Sequence, residues 1–145
     1  MANVKTTLSL PGVDLQVVRK GSGPQVLLLH GGDGSQDQQP FFDRMAARFE
    51  VIQPVHPGFA GTAIPDHFDN LQDLIFLYLD LIDYLDLHEA ILLGFSMGGW
   101  AAAEIAVMNT QRFSKLALVI RWASNRVDPL TGTSPTFSRF RQPSR

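Results

Sequence analysis

Apolar positions along the chain fall into two patterns. Residues 4–10 and 13–20 alternate with polar neighbours, through Thr6, Leu8 and Leu10 and then Val13, Leu15 and Val17. That period predicts a pair of half-buried strands joined at Pro11-Gly12, antiparallel to each other. Residues 25–30 form a nearly continuous apolar run after the turn cluster Gly21-Ser22-Gly23-Pro24, as a central parallel strand does. Further short strands are predicted at Glu50–Pro54, at 89–94 and at 115–120. Helices are predicted at about 38–48 and over 70–87, with Asp69 or Asn70 as cap of the second. In that helix Leu71, Leu74, Leu77, Leu81 and Leu85 make a wide stripe, which reads as core and not as a cofactor box. A third helix follows Ser96, through Trp100–Met108, in residues that favour helix.

The last two elements frame a chemical motif. Gly94-Phe95-Ser96-Met97-Gly98-Gly99 lies where strand 89–94 turns into the third helix. Gly94, Ser96 and Gly98 fit G-x-S-x-G, the nucleophile elbow that holds a serine hydroxyl exposed on a strained turn. Its glycines let the turn tighten, and the helix start aims unpaired N–H groups at developing negative charge. The plainer reading is a glycine-rich helix start with Ser96 as its cap.

A second glycine-rich stretch, His30-Gly31-Gly32-Asp33-Gly34-Ser35, admits three readings. A phosphate loop needs a lysine, and there is none between Lys20 and Lys115. A dinucleotide fingerprint fits Gly32 and Gly34 but meets Asp37 where a third glycine belongs. The third reading is an oxyanion loop serving the downstream serine.

With Val26-Leu27-Leu28-Leu29-His30-Gly31-Gly32, then Val55-His56-Pro57-Gly58-Phe59-Ala60-Gly61-Thr62, then the elbow, the chain resembles the N-terminal part of an α/β-hydrolase over residues 5–120. The resemblance implies an α/β fold with a mostly parallel sheet of about six strands and helices on both faces, incomplete at its C-terminal end. It implies Ser96 as nucleophile and the amides of Gly32 and Met97 as oxyanion donors, with Gly94 and Gly98 as elbow glycines. The implied activity is hydrolysis of an ester, amide or related acyl bond. Serine at position 96 speaks against the relatives that attack with aspartate, while cofactor-free perhydrolases and haloperoxidases share the elbow.

The rest of the triad is harder to find. The fold's order is Ser, then Asp or Glu, then His. After Ser96 the carboxylates are Glu104 and Asp128, and all four histidines precede it. Glu104 lies two turns down the helix, pointing away. Asp128 falls just beyond the sixth strand, where some relatives carry the acid. His56 is the candidate base among the earlier histidines, though the family usually has a structural loop residue there; Asp33 either contributes to the site or caps a turn. His67 and His88 read as surface residues. The expectation is a serine hydrolase whose proton-transfer machinery is impaired. The alternative is a non-catalytic fragment or small-molecule-binding module of the same fold.

Composition narrows the picture in three places. There is no cysteine, and no two histidines stand at i,i+4, so no metal site or cofactor is expected. The net charge of −2 offers nothing to nucleic acid or an anionic membrane. Without an apolar stretch near Met1 and with aspartates breaking residues 71–87, the expected location is the cytoplasm, and the expected ligand a small molecule. The charge is uneven: residues 1–120 carry 7 basic against 13 acidic side chains, residues 121–145 carry 5 arginines against Asp128. In that last stretch 15 residues are Ser, Thr, Pro or Arg, a composition expected of a disordered tail or a truncated or frame-shifted product. The domain is then 1–120 and the tail 121–145. Without further strands, 115–120 would be left as an open apolar edge suited to self-association.

Overall fold

The computed structural model describes residues 3–36 and 39–119. Six strands, β1 (Val4–Leu10), β2 (Val13–Lys20), β3 (Gln25–Leu29), β4 (Glu50–Pro54), β5 (Ala90–Phe95) and β6 (Phe113–Val119), form one sheet in the order β1-β2-β4-β3-β5-β6. β1 and β2 are an antiparallel hairpin, and β2 meets β4 antiparallel. From β4 through β3 and β5 to β6 every pairing is parallel. The sheet is thus mixed and mostly parallel, as expected.

Among the described residues three α-helices cover it: α1 (Gln39–Met45), α2 (Leu71–Tyr84) and α3 (Met97–Met108). Successive residues of β3 explain its unbroken apolar run. Leu27 and Leu29 enter the core under α2 and α3, while Val26 and Leu28 enter the core under α1 with Phe42. A strand covered on both faces has no polar side to show. Asn70 caps α2, accepting from the Gln72 amide across 2.7 Å, while Asp73 accepts from the Asn70 amide across 3.0 Å. That reciprocal arrangement fixes where the helix begins.

Several boundaries differ from the sequence reading, three of them by two residues or more. The helix expected over 38–48 is described only from Gln39 to Met45, because residues 46–49 tighten: Ala47 and Arg48 bond three residues back, to Arg44 and Met45. The helix expected over 70–87 stops at Tyr84. β6 begins at Phe113, earlier than expected, since a register shift between Ala90 and Ile91 lets Phe113 pair with Ala90. Among the described residues β6 lies at one end of the sheet and is exposed, with Leu116 and Leu118 showing 44% and 49% of their surfaces. Among the described residues no helix is long and apolar enough to cross a membrane. The stretch 121–145, including Asp128, lies outside the described residues.

Candidate active site

The turn between β5 and α3 is built by close backbone approach. Ser96 sits at φ 50°, ψ −115°, a conformation that L-residues avoid and that costs about 1–3 kcal/mol. Its amide donates to Val119 O across 3.1 Å, and its carbonyl accepts from the Trp100 amide across 3.0 Å, so both neighbouring elements hold it. Glycine is required around it. A Cβ on Gly94 would stand 2.4 Å from Gly98 O, and one on Gly98 would stand 2.3 Å from Leu29 O and 2.4 Å from His30 O. Gly99 closes the contact, a Cβ there lying 3.2 Å from Gly94 O. The side chain of Ser96 is exposed and makes no capping bond. Met97, the first residue of α3, is half-buried, and its amide belongs to the turn that has no intrahelical acceptor.

The glycine-rich loop leaves the sheet beside this turn. Leu29 on β3 is in register with Gly94 on β5, so residues 30–32 and 95–97 depart from neighbouring strand ends. Gly34 donates to Gly31 O across 3.1 Å, which folds residues 31–34 into a tight turn, with Gly34 at φ 94°. Within it Gly31 is buried, Gly32 half-buried and Asp33 exposed.

Beneath the loop lies a buried group of three hydrogen-bonded ring side chains, with Phe59 packed edge-on against the two imidazoles. The His56 amide donates to His30 Nε2 across 3.0 Å, which leaves the proton of His30 on Nδ1, where it donates to Gly31 O across 2.8 Å. His56 Nε2 donates to His30 O across 2.6 Å, and its Nδ1 accepts from the Tyr78 hydroxyl of α2. The two imidazoles lie against each other at a tilt of 33°, with centroids 3.6 Å apart. Burial lowers the pKa of His30 to about 4 and holds that of His56 well below the usual value, with His30 adding to the second shift; burial likewise raises Tyr78. Both histidines are therefore neutral, and neither nitrogen of His56 is left for a serine hydroxyl. Its place in the fold is a clamp on the backbone that leads into the loop.

The other candidates stand elsewhere. Trp100 Nε1 donates to Glu104 across 3.4 Å on the exposed face of α3. His88 pairs with Asp86 across 2.8 Å ahead of β5, at the opposite end of that strand from Ser96. A six-residue strand sets those ends roughly 20 Å apart. His67 packs on Phe68 and against Gly12 in the β1–β2 turn. Residues the sequence did not single out are Gly99, which the Gly98-Gly99 pair signals, and Tyr78, hidden in the apolar stripe of α2.

A mostly parallel sheet whose central strand turns through a strained serine into a helix defines an α/β-hydrolase fold. The family model described as "Alpha/beta hydrolase family" matches residues 26–145, and the chain belongs to that family. An uncharacterized protein of Mycobacterium tuberculosis (strain ATCC 25618 / H37Rv) is 33% identical over 100 residues, 68% of this chain and 29% of the relative. The epoxide hydrolase VrEH1 of Vigna radiata superposes with a TM-score of 0.73 at 19% identity, over 80% of this chain and 39% of that one. Naproxen esterase of Bacillus subtilis does so with a TM-score of 0.71 at 19% identity, over 79% and 42%. At that identity the likeness is one of fold. The chain spans less than half the length of each of these proteins.

Proposed function

We propose that this chain carries the nucleophile and oxyanion half of a serine hydrolase acting on an ester, amide or related acyl bond. One observation carries the reading: Ser96 is exposed at φ 50° on a turn that three glycines make possible. In the reaction, Ser96 Oγ attacks the carbonyl carbon, and negative charge gathers on the carbonyl oxygen. The amides of Gly32 and Met97 stabilise that charge, one from the loop after β3 and one from the first turn of α3. Collapse of that oxyanion breaks the carbonyl carbon's bond to the alcohol or amine, which leaves protonated, the Ser96 proton having passed through solvent. Water then attacks the acyl-serine, releasing the carboxylic acid and restoring the Ser96 hydroxyl. Proton transfer is the weak step. His30 and His56 are buried and engaged, and no histidine follows Ser96 in these 145 residues. A triad lacking a member keeps only the contribution of binding and the oxyanion hole.

A reactive fluorophosphonate tests the nucleophile separately from turnover. Ser96 Oγ displaces fluoride at phosphorus and the hydroxyl proton passes to solvent base. Mass spectrometry is expected to find one adduct, on the peptide containing Ser96, and none in Ser96→Ala. An adduct on another residue, or none after prolonged exposure, overturns the reading in favour of a binding module.

A further inference from the structure

A second site lies away from Ser96, on the α1 face of the sheet. Lys5, Val18 and Gln53 stand in one row across β1, β2 and β4, since Lys5 is in register with Val18 and Val18 with Gln53. Residues directly opposite in register share a face, and the outer two are about 10 Å apart at the backbone. Above this row is a cavity of about 460 Å³. Gln16, Ser35, Gln36 and Gln39 are among its other polar lining residues, beside Asn3 and the threonines of β1.

Gln53 is the unusual member. It interrupts the apolar run of β4 and is only 2% exposed, yet its side-chain Nε2 has no hydrogen-bond partner among the described residues. Buried amides without partners are costly and rare, so the group calls for an acceptor. Charge limits what that acceptor is. Among the described residues the lining carries one charged side chain, Lys5, which is exposed and makes no ion pair, and it carries no carboxylate. Gln16, Gln36 and Ser35 add donors and acceptors suited to hydroxyl groups, and Gln39, whose Nε2 donates to Asp43 across 3.1 Å, offers its carbonyl oxygen. The volume falls within the range of small-molecule sites.

We propose that this cavity binds a small hydroxylated carboxylate, its carboxylate received by Lys5 and the Gln53 amide and its hydroxyls by Gln16, Gln36 and Gln39. The site is independent of the reading of Ser96. Titrating the full chain with sodium gluconate, while following the side-chain amide signals of Gln53 by NMR, tests it. A saturable shift at concentrations on the order of 1 mM is expected, with none from sorbitol, which lacks the carboxylate. Lys5→Gln, a rim substitution that spares the core, is expected to weaken binding roughly tenfold. Gln53→Leu is expected to abolish binding, and Ser96→Ala to leave it unchanged. No shift up to about 20 mM, an equal response to sorbitol, or undiminished binding by Lys5→Gln overturns the proposal, and Gln53 is then satisfied by water alone.

Discussion

Gly98 on α3 lies against the carbonyl of Leu29 on β3, so close that a Cβ would stand 2.3 Å from that oxygen. Both partners are backbone, so neither yields by rotating a side chain. Gly98→Val is therefore expected to cost more than about 4 kcal/mol, in the range reserved for severe steric conflict. Ser96→Ala removes an exposed hydroxyl and is expected to stay within about 1 kcal/mol. Melting temperatures of the two variants check this; equal values contradict a tight elbow.

Ser96 itself holds a positive φ that glycine adopts freely. Ser96→Gly is expected to stabilise the fold by about 1 kcal/mol, the strain relieved being partly offset by the greater freedom of the unfolded chain. Urea denaturation reads the sign, and a destabilised Ser96→Gly argues against stored strain.

The buried histidines give stability a pH dependence. In the folded chain His30 titrates at about 4 against an ordinary value of 6.5, and His56 is lowered in the same direction. Above 6.5 both states are neutral and nothing changes. As pH falls below 6.5 the unfolded chain takes up protons first, so stability declines, and the His30 contribution is complete near pH 4. That residue alone accounts for a loss on the order of 3 kcal/mol. Asp43, held low by its Lys20 hydrogen bond, and Asp86, by His88, titrate below this window. Urea midpoints at pH 7 and pH 5 check the expectation; stability that is level or rising between them contradicts it.

Tyr78→Phe leaves the buried Nδ1 of His56 without its donor. The expected cost is about 1–3 kcal/mol, the usual consequence of orphaning a buried polar atom. Denaturation of Tyr78→Phe measures it, and a neutral result means water replaces the hydroxyl.

How far the sequence reveals this arrangement depends on what each residue's role rests upon. Local rules place the hairpin turn at Pro11-Gly12, the Asn70 cap and the Ser96 turn, because sequence neighbours decide them. The mostly parallel sheet of about six strands follows from the family resemblance. Roles that depend on distant partners stay hidden. Tyr78 reads as one more apolar position of α2 until β4 and the loop after it bring His56 to its hydroxyl. Gln53 reads as a polar residue in a short strand, and only the neighbouring strands show that it is buried. Gly99 needs the sight of Gly94 across the turn. Asp128, the carboxylate suggested by position, falls beyond the described residues.

The exposed strand β6 suggests association. Leu116, Leu118 and Val119 are exposed at the end of the sheet. An apolar edge is a template for another strand, and we expect the chain to self-associate there. Leu118→Lys is expected to shift sedimentation toward monomer at tens of micromolar. A wild-type monomer with residues 115–119 protected from hydrogen exchange contradicts that expectation.

Ser96 as a nucleophile short of its base is tested most directly by p-nitrophenyl acetate turnover, comparing the full chain with Ser96→Ala. The expected result is slow hydrolysis, roughly 10³–10⁴-fold above water, that is lost in Ser96→Ala. A kcat of about 1–10³ s⁻¹ that depends on Ser96 would show a working base, and hydrolysis indifferent to Ser96→Ala would show that the serine is not the nucleophile. Either result contradicts the assignment.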